Sequence, residues 1–233
     1  MERNSLLESI VSLAPAIPCD YPGGDARRFL DDPAHQPMSL LLGAMAMYGS
    51  DSPWALPHGL ATRLGMARLD AATVVATGEA DLRKAIRGKP ALHMDPARMG
   101  RWAWDAARLV VGQYGGDANW IWNDFRKMDV GRFVGRLLEV PGIGSVKALV
   151  LAFLLHRDWG ADIVGWRGFR PPMDAAMLVA AGRLGIGAPE SDGDPESIVK
   201  VCEGLRKVSK LCAQERPQCG ACPLSAGCPR QGV

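Results

Sequence analysis

Leu137-Leu138-Glu139-Val140-Pro141-Gly142-Ile143-Gly144-Ser145-Val146-Lys147-Ala148 is the stretch on which the fold turns. Its spacing predicts two apolar helices, Gly131–Val140 and Ser145–His156, joined by the tight turn Pro-Gly-Ile-Gly. Gly142 and Gly144 allow backbone conformations and close approaches that a side chain would hinder. The first N–H groups of the second helix lack intrahelical partners and sit at the positive end of its dipole, where a phosphate oxygen is favoured. Gly142, Ile143, Gly144, Ser145 and Lys147 are the candidate DNA-binding residues. Contacts of this kind hold a duplex without reading its sequence. The plainer alternative is a helix–helix turn that binds nothing.

Outward from the hairpin the apolar periodicity stays helical. Helices are predicted over Leu6–Leu13, Met38–Met47, Pro57–Leu64, Asp70–Thr77 and Glu79–Arg87. Asp95–Pro96 opens another that runs to Tyr114, with Asp as cap and Pro at the first helical position. Ala175–Arg183 and Glu196–Leu211 complete the set, and residues 19–37 are turn-rich. No alternating β-branched segment is long enough to build a sheet, so the fold class is all-α. A central bundle over residues 35–150 and a second unit joining residues 1–34 to residues 151–233 are the expected domains.

The formal charge of +2 makes any nucleic-acid function a matter of local charge. Seven Lys or Arg lie between Arg83 and Arg108 against Asp95 and Asp105, and five between Arg126 and Lys147 against two acids. The first 34 residues are acidic by six to three. Nothing approaches 18 uninterrupted apolar residues, and the N-terminus reads as an amphipathic helix rather than a secretion signal. A soluble, cytoplasmic protein is the expectation.

Four of the six cysteines crowd into the tail, as Cys212, Cys219, Cys222 and Cys228. Thiolates are soft ligands for iron–sulfur clusters or zinc. Structural zinc sites more often use two short pairs, which this spacing lacks, so a [4Fe-4S] cluster is expected at these four residues. Cys19 and Cys202 read as core cysteines.

Hairpin and cysteine tail together resemble the iron–sulfur branch of the helix-hairpin-helix DNA glycosylases, the endonuclease III and adenine glycosylase family. The resemblance covers roughly Pro37 to Cys228 and is strongest at Leu137–Ala148 and Cys212–Cys228. It implies a six-helix barrel containing the hairpin at 132–156, an α-helical [4Fe-4S] cluster domain, and a cleft between them where a nucleotide is flipped. It also implies an essential Asp at the start of a helix after the hairpin, which here is Asp174. Such a carboxylate stabilises the oxocarbenium-like sugar or orients the attacking water. Capping the helix explains the same Asp without chemistry.

Two departures bear on the reaction. Bifunctional members carry a Schiff-base Lys where this chain has Val146. Lys147 is the alternative nucleophile, but one residue turns it about 100° around the helix. The interval from Val146 to Asp174 is 28 residues, longer than in typical relatives, and the extra chain falls at Gly165–Pro172. A Gln common in the first barrel helix of the family corresponds to Met45. His93 and Met94 are candidates for a wedge in the duplex, and Tyr48 and Trp54 for base stacking. His93 also reads as a half-exposed loop residue.

The expected function is therefore base excision by a monofunctional DNA glycosylase, a monomer acting on duplex DNA that contains a damaged or mismatched base. The alternatives are a bifunctional glycosylase and lyase using Lys147, and a non-catalytic iron–sulfur protein that recognises DNA damage.

Overall fold

A computed structural model describes residues 3–14, 21–122 and 127–229. Cys19 and Arg126 lie outside the described residues. In chain order the helices are α1 (Arg3–Leu13), α2 (Gly24–Asp31), α3 (Gln36–Ala46), α4 (Leu56–Leu64), α5 (Ala71–Thr77), α6 (Glu79–Arg87), α7 (Pro96–Gln113), α8 (Val130–Leu138), α9 (Ser145–Asp158), α10 (Ala175–Leu184) and α11 (Pro195–Cys212). Two strands of two residues each, β1 (Met128–Asp129) and β2 (Ile163–Val164), pair with one another. The chain is all-α, as its periodicity predicts. No helix among the described residues is long and apolar enough to cross a membrane.

Side-chain caps mark where several helices begin. Asp70, Asp95 and Asp174 accept from the N–H of Thr73, Arg98 and Met177 at 2.8, 3.0 and 2.8 Å, and Asp194 accepts from Glu196 and Ser197 at 3.0 and 3.2 Å. Each satisfies an otherwise orphaned donor and contributes about 1 kcal/mol. Helix α2 departs from the expectation of a turn-rich connector. Its eight residues carry Asp25, Arg27, Arg28 and Asp31 on the outside and bury Leu30, so a short amphipathic helix lies between the glycines and the Asp-Pro pair.

The chain divides into two compact units. One comprises residues 18–128 and 135–151, the other residues 1–17, 129–134 and 152–233. In the first, α3 is buried along nearly its whole length and packs on α4 and α7, while α7 packs on α5 and α6. Trp54, 1% exposed, fills the space beside Gly43 where a side chain would otherwise stand. Arg63 of α4 donates to Ala85 O and Gly88 O at 2.7 and 3.0 Å and also to Pro90 O. It satisfies carbonyls at the C-terminus of α6 and fixes the chain that leads into Ala91–Met94.

In the second unit α11 packs between α1 and α10. Gly204 lets the two helices α1 and α11 touch, because a Cβ there would meet the carbonyl oxygen of Ile10. Leu6 and Ile10 of α1 and Ile198, Cys202 and Leu205 of α11 are buried. Each fully buried aliphatic side chain stabilises by about 1.5–3 kcal/mol. The Gly165–Pro172 segment is folded on its own unit. Trp166 is buried, donates to Ile163 O at 3.1 Å and meets Phe169 edge to face, while Arg170 pairs with Glu190 at 2.7 Å. Gly168 N donates to Ser191 O and Ser191 N to Phe169 O, at 2.8 and 2.9 Å.

Candidate nucleic-acid interface and catalytic residues

The hairpin forms as its sequence predicts. Gly142 adopts φ +83°, and a Cβ on it would lie 2.7 Å from the Trp102 ring, so conformation and space both demand glycine. Ile143 is buried and its N–H donates to Val140 O at 3.1 Å. Gly144 is exposed, with open space where a Cβ would stand, and its carbonyl accepts the first bond of α9 from Ala148 N at 2.9 Å. The first turn of α9 thus presents backbone N–H groups at the helix's positive end. Ser145 is half-buried beside it. Val146 is 6% exposed and packs inward, leaving no nucleophile at that position.

Lys147 is half-buried and engaged. Its Nζ donates to Met45 O at 2.6 Å and Gly142 O at 3.2 Å, and stands 5.2 Å from the centre of the Trp102 ring. Met45 itself is fully buried, so it belongs to the core of α3. Trp54, too, lies in the core, stacked neither on solvent nor on an open groove.

A pocket in the same unit is lined by Tyr48–Ser52, Ala55, Leu56 and Ala91–Met94. Tyr48 adopts φ +67°, uncommon for a residue with a Cβ, and is 41% exposed. Met94 is 80% exposed, the most open large apolar side chain among the described residues. The two loops are stitched together by Met94 N donating to Gly49 O at 2.7 Å. His93 is not the half-exposed loop histidine its local sequence suggests. It is 6% exposed, wedged against Gly49, with Nδ1 accepting from Asp95 N at 2.9 Å. Burial lowers its pKa below the ordinary 6.5, the Asp95 carbonyl oxygen 3.1 Å from Nδ1 opposes this by favouring the protonated ring, and the Lys147 charge lowers it further. Gly49, Trp102 and Arg63 are structural supports of these loops and the hairpin that no local motif reveals. The left-handed Tyr48 followed by Gly49 is visible only once the fold is known.

In the other unit Asp174 is exposed at the start of α10 and caps it through Oδ1, which accepts from Met177 N at 2.8 Å. Capping uses one carboxylate oxygen.

The cysteine tail requires a correction. Cys212, Cys219, Cys222 and Cys228 line one cavity with Arg183, Leu184, Leu211, Pro217, Gln218 and Ser225. Among the described residues, however, no group of three or more His, Cys, Asp or Glu side chains is arranged to hold a metal ion. The expectation of a [4Fe-4S] cluster is therefore overturned: lining a cavity is a weaker condition than converging on shared ligand positions. The tail is organised instead by its own bonds. Gln218 N donates to Leu211 O at 3.0 Å, Cys222 N to Cys219 O at 3.2 Å and Ser225 N to Cys222 O at 3.0 Å. Arg183 donates to Cys212 O, and to Gln214 O at 3.2 Å. Burial raises the Cys212 thiol pKa, with Arg183 opposing. Cys202 is a core cysteine, as expected, its thiol pushed up to about 12 by burial.

No protein-family model matches the chain, and no curated protein matches it. Among solved structures it is similar to endonuclease III trapped covalently on DNA in an estranged-adenine complex, at 16% identity and TM-score 0.48, covering 99% of this chain and 97% of that one. Endonuclease III in a non-covalent DNA complex gives 16% identity and TM-score 0.45, with 99% and 96% covered. A thermostable thymine-DNA glycosylase gives 15% identity and TM-score 0.45, with 98% and 95% covered. Each likeness spans nearly the whole of both chains at 16% identity or less.

Proposed function

We propose that this protein is a monofunctional DNA glycosylase, acting as a monomer on duplex DNA that carries a damaged or mismatched base. The observation that carries the reading is the hairpin: Gly142 at φ +83°, a bare Gly144, and the open first turn of α9. That arrangement suits backbone phosphates, which supply affinity without sequence choice. The helices α3–α7 around it form the proposed barrel.

Asp174 supplies the chemistry in this reading. As the N-glycosidic bond breaks, the base leaves with the electron pair and positive charge develops on the sugar. An adjacent carboxylate stabilises that charge and takes a proton from the water whose oxygen bonds to the anomeric carbon. Val146 supplies no amine for a Schiff base, and the Lys147 ammonium is held by two carbonyls, which favours hydrolysis over a lyase step. Met94, exposed beside Tyr48, is the proposed wedge that fills the space left by an extruded nucleotide.

The test is incubation with a panel of duplexes, each carrying one lesion or mismatch. Free base released without strand scission is the expected product, and no release from any duplex at stoichiometric protein would overturn the reading. A covalent adduct trapped by borohydride and lost in Lys147→Ala would replace it with the lyase.

A further inference from the structure

Lys147 joins three segments that are far apart in sequence. Its ammonium reaches Met45 O in the last turn of α3, Gly142 O in the hairpin turn and the face of Trp102 in α7. An ammonium has three donors and no acceptor, and two of those donors go to backbone carbonyls. A cation at Met45 O also sits at the negative end of α3, where it is stabilised. The ring face of Trp102 adds a cation–π attraction.

The consequence falls on one peptide unit. The carbonyl of Gly142 accepts from Lys147, and the N–H of the same peptide, on Ile143, donates to Val140 O at 3.1 Å. Both ends are held, so its plane is fixed. On its other side Gly142 is backed by Trp102, the residue that carries the cation–π contact. The chain leaving this peptide runs directly into Gly144 and the first turn of α9.

We infer that Lys147 is a positioning residue: by fixing the Gly142–Ile143 peptide it sets the direction of the N–H groups that meet a phosphate, and it touches neither phosphate nor sugar. The inference rests on the DNA reading proposed above.

The full chain with Lys147→Met, which keeps length and removes charge, is compared with wild type and Lys147→Arg. The dissociation constant for an undamaged duplex is measured between 50 and 200 mM salt, since each lost phosphate contact lowers the slope of log K against log salt by about 0.9. The expected result is binding roughly tenfold weaker in Lys147→Met at every salt concentration, with an unchanged slope and partial recovery in Lys147→Arg. A slope reduced by about one contact, or unchanged affinity, would overturn the inference. Amide hydrogen exchange at Ile143, Gly144 and Ser145 is measured without DNA. It should quicken in Lys147→Met and recover in Lys147→Arg, and unchanged exchange would overturn the tie itself. A wild-type protein that binds no duplex would overturn the DNA reading alone, with the exchange comparison still deciding whether Lys147 holds the hairpin.

Discussion

Nε2 of His93 rests against the α-carbon of Gly49, in the space that a Cβ on residue 49 would need. The imidazole cannot step aside easily, because it is buried and its Nδ1 is held by Asp95 N at 2.9 Å. Gly49→Ala is therefore expected to cost about 1–3 kcal/mol, the usual range for overpacking. Urea unfolding should show a lower midpoint with an unchanged slope. In a His93→Ala background the penalty should largely vanish. An equal penalty in both backgrounds would show that the two residues are not coupled.

His93 also sets a pH dependence. Burial, opposed by the Asp95 carbonyl oxygen beside Nδ1 and reinforced by the Lys147 charge, lowers its pKa in the fold below 6.5. In the unfolded chain the ring protonates near its ordinary value, so the unfolded state binds more protons once the pH drops below about 6.5. The stability due to neutral His93 is thus complete above that pH and shrinks as pH falls through the folded value. Unfolding midpoints measured from pH 7.5 to 5 should fall more steeply in wild type than in His93→Gln. Parallel curves would contradict the assignment.

Gly204 makes a contrast with Gly112. A Cβ at Gly204 would meet the backbone oxygen of Ile10, whereas one at Gly112, near the end of α7, would meet nothing within 4 Å. Gly204→Ala should separate α1 from α11, cost more than about 2 kcal/mol and speed amide exchange in α1. Gly112→Ala should stabilise by roughly 0.5–1 kcal/mol through helix propensity. Similar effects at the two positions would rule out close helix contact as the reason for Gly204.

Glu203 is buried in the same helix, with Oε2 accepting from Arg206 at 3.0 Å and Oε1 without a partner. Burial raises its pKa above 4.5, and the Arg206 charge opposes this. A carboxyl group whose folded pKa is raised contributes stability that is complete below the unfolded value and lost as pH rises through the folded one. Relative to wild type, Glu203→Gln should therefore gain stability as pH rises from about 4.5 toward neutrality. A difference that stays constant with pH would show that the group titrates alike in both states.

The helices are legible wherever the determinants are local. Asp70, Asp95, Asp174 and Asp194 announce their helix starts, and the run from Ala148 to Leu155 is apolar on every side because it is buried on every side. Helix α2 was hidden because its eight residues sit among Gly, Asp and Pro, which read as turn signals. His93, Trp54 and Lys147 are legible as residue types but not as environments. Their partners Gly49, Gly43 and Met45 lie far away in sequence, and no local pattern distinguishes a buried imidazole from an exposed one. The cysteine spacing fails for a related reason: spacing constrains reach along the chain, while ligation demands convergence in space.

Asp174 separates capping from chemistry. Asn is as good an N-cap as Asp, so Asp174→Asn retains the bond to Met177 N and should leave the unfolding midpoint nearly unchanged. Asp174→Ala loses the cap and should cost about 1 kcal/mol. If the carboxylate stabilises positive charge in the transition state, both variants should lose base release by a factor of at least about 100, the loss that accompanies removal of one such electrostatic group. Duplex affinity should remain close to wild type in Asp174→Asn, because the proposed phosphate contacts lie on the hairpin. The informative comparison is between these two variants. If activity follows stability, falling in Asp174→Ala and persisting in Asp174→Asn, then Asp174 is only a cap and the carboxylate of the reaction must be sought elsewhere.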